Sequence, residues 1–132
     1  MHQSDFDKLD PGQCLNDVVV DFWTHWITRK EAIDEPYIRF FITQYYTAIV
    51  DFGVARVTKW TEKRSIDIFS KKNLVLPVHI ASHWSLCAVY NAGQIVNFDE
   101  NDDVQVEIPF ILFLDPLDYH SRTAVCKNIR DW

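Results

Sequence analysis

The sequence predicts an α+β chain in which N-terminal helices pack on a mostly antiparallel sheet. Two observations carry that reading. Apolar residues up to about Trp60 recur at helical spacing, whereas those from Asn73 to Leu114 fall in short, β-branched runs separated by turn residues. The composition, 48% hydrophobic and 14% aromatic over 132 residues, fits a single domain that buries a real core and excludes a disordered chain.

Residues 1–8 are polar and read as a frayed lead-in, and Asp10-Pro11-Gly12 is turn chemistry. Asn16 is the expected N-cap of a helix from about 16 to 29, with Asp17 in the first turn, where the helix dipole favours an anion. Val19, Val20, Trp23, Trp26 and Ile27 supply its apolar face. Glu31 to Pro36 is a polar break. Tyr37 to Asp51, rich in aromatic residues, reads as a second helix ending near Gly53, and a short third helix is expected over Val54 to Trp60. Asn73 to Ile80 is then apolar and β-branched, interrupted by Pro77, and Ser85 to Tyr90 reads as a buried strand closed by the turn Asn91-Ala92-Gly93. Ile95-Val96-Asn97-Phe98 is expected to return as a hairpin partner. Asp99 to Asp103 should be a solvated acidic loop, and Ile108 to Leu114 another strand. Ser121 caps a last helix through Trp132, with Val125 and Ile129 on one face.

Charge and cysteine usage narrow the function. Nineteen acidic against thirteen Lys and Arg residues leave a net charge of −6, which argues against a nucleic-acid partner. No apolar run approaches the roughly 18 residues that a membrane span requires, and no basic start leads into an apolar leader. Three cysteines without regular spacing are no disulfide framework and point to a reducing compartment, nucleus or cytoplasm.

The chemistry-bearing residues are His83 and Asp115. His83 stands at the entrance of a strand, after a small-residue turn, where an imidazole is rigidly held and reachable and exchanges protons at neutral pH. Asp115 closes an apolar run that puts it partly out of water, and a buried carboxylate requires a cationic or N–H partner. An imidazole N–H would serve, fixing the tautomer and stabilising the imidazolium. The bland alternatives are a core or surface histidine and a carboxylate that caps a turn. His79 and His83 are four apart, but on extended chain that spacing does not bring two metal ligands together, so no metal or other cofactor is expected. His2, His25 and His120 read as lone structural or solvent-facing residues.

Taken in order, Leu15-Asn16-Asp17, Trp60-Thr61, Asp67-Ile68-Phe69, Val75-Leu76-Pro77-Val78, His83-Trp84-Ser85-Leu86 and Leu114-Asp115 resemble the Ulp/sentrin-specific cysteine proteases. The likeness runs from about Leu9 to Leu117. It implies a papain-like fold and hydrolysis after the C-terminal glycine of SUMO or another ubiquitin-like modifier, in precursors or conjugates. His83 matches the family's catalytic base and Asp115 its orienting acid. Trp84 matches the tryptophan over the modifier's Gly-Gly tail, beside Asn16 and Asp17 as further substrate-binding positions. The acidic insertion before 108–114 looks like the branch that favours polymeric SUMO chains. Two departures stand out. Cys14 replaces the tryptophan usually found before Leu-Asn-Asp, and the family's glutamine and Asp-Cys-Gly nucleophile motif are absent. Cys126 lacks that context, Cys87 reads as a core residue, and Cys14 as a packed one. The expectation is therefore a partial domain, incomplete at its C-terminus, with a C-terminal half supplying the cysteine. The alternative is a non-catalytic ubiquitin-like-protein binding module or decayed pseudoprotease.

Overall fold

A computed structural model describes residues 1–30, 37–97, 99 and 107–132. The lead-in expected to fray instead forms a helical turn, α1 (Gln3–Phe6), followed by a 3-10 turn over Asp7–Leu9. It is tied down because Asp5 accepts from the His2 backbone N–H at 2.7 Å and from the Asn16 amide at 3.0 Å. Helix α2 (Asp17–Lys30) starts as its sequence predicts, with the Asn16 side-chain oxygen accepting from Val19 N–H at 3.0 Å. Its apolar face departs from expectation. Only Val19 is buried, while Phe22, Trp23 and Trp26 contact one another edge-to-face on the outside and remain exposed.

The stretch 37–51 is not one helix. Ile38–Phe40 is a short strand, β1, and three residues separate it from the helix that follows, α3 (Gln44–Phe52). The reason is tertiary: Asn73 N–H donates to Tyr37 C=O at 2.8 Å and Phe41 N–H to Val75 C=O at 2.9 Å, so this backbone is satisfied by a neighbouring strand. Asp21 on α2 then holds the Thr43 backbone N–H at 2.8 Å, just before α3 starts. Gly53, with φ of +79°, turns the chain sharply into α4 (Val54–Lys63).

Strands β2 (Asn73–Ile80), β3 (His83–Tyr90) and β4 (Phe110–Leu114) complete a four-stranded sheet in the order β1-β2-β3-β4. The pairings β2–β3 and β3–β4 are antiparallel, and β1–β2 is parallel. Pro77 is tolerated inside β2 because it shares the parity of Asn73 and Val75, whose polar groups face β1. Beyond Val75 that edge is no longer covered by β1, so the missing N–H breaks no ladder bond. The segment 95–97 does not pair with β3: it belongs to a 3-10 turn, Ala92–Asn97, and β3 takes β4 as its partner instead. Phe98, the break at 31–36 and all of the acidic loop except exposed Asp99 lie outside the described residues.

One face of the sheet carries Leu74, Leu76 and Val78 from β2 beside Cys87 and Val89 from β3. Tyr45, Tyr46 and Ile49 of α3 join them in the core. Helix α5 (Arg122–Asp131), capped by Ser121 as its sequence predicts, adds buried Val125 and Ile129 to the same core. Asn128 on α5 donates to the Tyr46 hydroxyl at 3.0 Å, joining α5 to α3.

Candidate active site

The hairpin between β2 and β3 places His83. Ile80 pairs directly with His83, leaving a two-residue turn, Ala81-Ser82, with φ of 48° and 62°. Positive φ at both central residues is what a type I′ turn needs, and neither residue is a glycine, so the turn holds local strain immediately beside the histidine. The register of β3 and β4 places Asp115. Leu114 pairs with Leu86, so the next residue along β4 emerges level with Ser85, on the sheet face that also carries His83.

The two side chains meet. His83 Nε2–H donates to Asp115 Oδ1 at 2.5 Å, across 32 residues of sequence. The Asp115 side chain is only 4% exposed and that of His83 13%. Burial pushes the Asp115 carboxyl towards the neutral acid, but this is outweighed. The His120 N–H at 2.7 Å, the His83 ring and the Leu117 N–H at 3.1 Å all donate to it, and together they hold its pKa well below the ordinary carboxylate range. Asp115 is therefore a fixed anion. It orients the imidazole through Nε2, and among the described residues Nδ1 of His83 makes no hydrogen bond.

His120, read from sequence as a lone residue, is part of this corner. It is buried, its ring lies 4.8 Å from that of His83, and both its nitrogens are engaged, with Ser85 and with the Ile80 carbonyl. The signal that would have found it is the short loop from Asp115, which folds back onto the strand that carries His83. His83, Asp115 and His120 offer ligand atoms within 4.8 Å of one another, a spacing compatible with a metal ion. The 2.5 Å separation of His83 and Asp115 is nevertheless a hydrogen-bond distance. Two ligands on one tetrahedral ion at about 2.1 Å would stand about 3.4 Å apart, so the contact is a hydrogen bond rather than a shared ligation.

Trp84 points to the opposite face of the sheet, as strand alternation requires. Its ring stacks on His79, directly across the hairpin, at 4.4 Å, and its indole N–H donates to Leu15 C=O at 2.9 Å. With Cys14, Asn16, Asp17 and Gln44 it lines a cleft of about 440 Å³. The Asn16 amide is already used to cap α2 and hold Asp5, and Asp17 accepts from Gln44 at 2.9 Å. The structure thus brings His83 and Asp115 into direct contact, and groups Trp84, Asn16 and Asp17 around a separate cleft.

The three cysteines stand apart from the imidazole in different ways. Cys87 is fully buried, and burial pushes its thiol up to about 12, with Cys126 adding to the effect. Cys126 lines an apolar cleft of about 670 Å³ between α5 and the sheet, with Phe69, Ile111 and Trp132, rather than the cavity beside His83. Cys14 is exposed at the Trp84 cleft.

The family model for the C-terminal catalytic domain of the Ulp1 protease family matches residues 13–132. The chain belongs to this family. A sentrin-specific protease of Caenorhabditis elegans is 35% identical over 94 residues, covering 70% of this chain and 13% of its own length. The probable ubiquitin-like-specific protease 2B of Arabidopsis thaliana is 27% identical over 127 residues, covering 86% of this chain and 13% of its own. Among solved structures, a crystal structure of a de-sumoylating protease superposes with a TM-score of 0.78 at 24% identity, over 98% of this chain and 49% of that one. The α+β architecture expected for an Ulp1-family protease domain is therefore the observed one. The chain spans a small fraction of its curated relatives and about half of the solved catalytic chain. No helix among the described residues is long and apolar enough to cross a membrane.

Proposed function

We propose that this Ulp1-family chain contributes the general base His83, the orienting acid Asp115 and the aromatic lid Trp84 of a cysteine peptidase. The bond cleaved follows the C-terminal glycine of SUMO or a related modifier, and the thiol comes from polypeptide outside these 132 residues. The observation that carries the reading is the His83–Asp115 hydrogen bond, 2.5 Å long, made through Nε2. It leaves Nδ1 to take a thiol proton. The relatives, ubiquitin-like-specific and sentrin-specific proteases, support the substrate class. Buried Cys87, its thiol raised to about 12, would remain protonated at neutral pH and is a poor nucleophile.

In this scheme the thiol proton passes to His83 Nδ1 and the thiolate adds to the glycine carbonyl. The C–N bond then breaks, with the imidazolium returning its proton to the leaving amine, and water hydrolyses the thioester. Asp115 remains ionised throughout and stabilises the imidazolium. Trp84, Asn16 and Asp17 line the cleft that receives the modifier tail, where an aromatic lid sterically favours glycine.

Reading the transcript past the codon for Trp132 and expressing the product tests the proposal. The expected protein hydrolyses a SUMO C-terminal fluorogenic amide, and His83→Ala lowers its kcat by about 10⁴-fold or more. Undiminished turnover in the variant would sink the assignment. So would a product with no cysteine that SUMO bearing a C-terminal electrophile can trap; a chain that then still binds SUMO in titration would be a binding module.

A further inference from the structure

His120 makes three contacts, and together they fix the position of Asp115. The His120 backbone N–H donates to Asp115 Oδ2 at 2.7 Å, on the carboxylate oxygen that His83 does not use. Its ring Nε2 lies 3.0 Å from the Ile80 carbonyl, which can only accept, so this nitrogen carries the proton. Nδ1 lies 2.8 Å from the Ser85 hydroxyl, within hydrogen-bond distance. Both ring nitrogens are thereby satisfied. The ring is 4% exposed and is anchored to both strands of the hairpin that carries His83, across 35 and 40 residues of sequence.

We propose that His120, locked by Ser85 and Ile80, is a positioning residue that clamps the 115–120 loop to the hairpin and so sets the His83–Asp115 alignment. The inference rests on the reading of His83 as base and Asp115 as its orienting acid. Asp115 needs a donor on Oδ2 to stay ionised out of water, and a backbone N–H supplies one without adding a second titrating proton. An unanchored loop would let the carboxylate drift, and misplacement by about 1 Å costs a catalytic constellation about 10²-fold in rate.

The test reads the hydrogen bond itself, in the 132-residue chain, and needs no cleavage. In the unmodified chain the His83 Nε2 proton should resonate at low field and exchange slowly with water, and His120 should show the Nε2–H tautomer in ¹⁵N spectra. His120→Ala is expected to speed exchange of the His83 proton by about tenfold, the scale of one hydrogen bond to a charged group. His120→Gln, whose amide N–H can reach the Ile80 carbonyl, should restore most of the protection. Ser85→Ala is the second variant should His120→Ala unfold, which near-ultraviolet circular dichroism of the tryptophans reports; it should speed exchange several-fold. Exchange as slow as in the unmodified chain in a folded His120→Ala or in Ser85→Ala overturns the proposal. In the longer, cysteine-bearing protein, His120→Ala should lower kcat about 10²-fold with KM unchanged, and His120→Gln should recover it. A rise in KM alone would likewise overturn it. Failure of the protease reading would leave the exchange result standing, so the two failures are separable.

Discussion

Asp5 and Asp115 are built alike and do different things. Each is a shielded carboxylate with a backbone N–H at 2.7 Å, from His2 in one case and His120 in the other. Each is held below the ordinary aspartate range. For Asp5 the His2 N–H is the main cause, then the Asn16 amide, with burial opposing; for Asp115 burial opposes most strongly and several donors together overcome it. The difference lies in the remaining partner. Asp5 is joined by the Asn16 amide, which carries no exchangeable charge and whose oxygen caps α2. Asp115 is joined by an imidazole with a second nitrogen left over. A depressed carboxylate pKa therefore marks a satisfied anion; what it is satisfied by decides whether the site can do chemistry.

The comparison is broken most severely by kinetics. In the cysteine-bearing protein, Asp115→Asn should lower kcat by about 10²- to 10⁴-fold, because the amide can present its own N–H to the imidazole and favour the wrong tautomer. Asp5→Asn should leave kcat unchanged; a comparable loss there would mean that the two carboxylates are not functionally distinct. Acid unfolding should make them look the same. Both groups bind protons less readily folded than unfolded, so their contribution to stability is complete above the ordinary aspartate pKa of about 3.9 and is lost as pH falls below it towards the depressed folded values. Urea midpoints taken at neutral pH and near pH 3 should therefore converge in either Asn variant, relative to the unmodified chain. An unchanged acid-dependent drop in one of them would remove that carboxylate from the account. The smallest effect belongs to the turn on the Asp115 side. Ser82→Gly relieves a positive φ of 62° and should stabilise the chain by up to about 1 kcal/mol, the strain relieved exceeding the entropy gained by the unfolded chain. A lowered urea midpoint would show that the Ser82 side chain contributes more than its strain costs.

Strands β2 and β3, the Asn16 cap of α2 and the Ser121 cap of α5 were all legible in the sequence, because each depends on residues within a few positions of one another. The pairing of His83 with Asp115 was legible too, since each stands at the end of an apolar run and two antiparallel strand ends can share one edge. Strand β1 was not. Three residues rich in apolar and aromatic side chains suit a helix equally well, and only the parallel pairing with Asn73–Val75 decides the matter. The 3-10 turn over 92–97 escaped for the same reason: its apolar residues fit a strand, but β3 had a better partner in β4. The face of α2 looked like a core stripe, yet the described residues place nothing over Phe22, Trp23 and Trp26 that buries them.

By itself, the sequence determined the α+β order of elements, the helix caps, strands β2 and β3, and the imidazole and carboxylate that stand at the ends of apolar runs. These are local or edge properties, written in periodicity, capping residues and the placement of polar groups at the ends of apolar runs. The tertiary structure alone decided that His120 belongs to the same corner, that Asn16 also holds Asp5, and that Trp84 lines a different cleft from His83. Each of those outcomes depends on hydrogen bonds or strand faces joining residues far apart in the chain, such as the 35 between Ser85 and His120, and no local pattern encodes a partner at that distance.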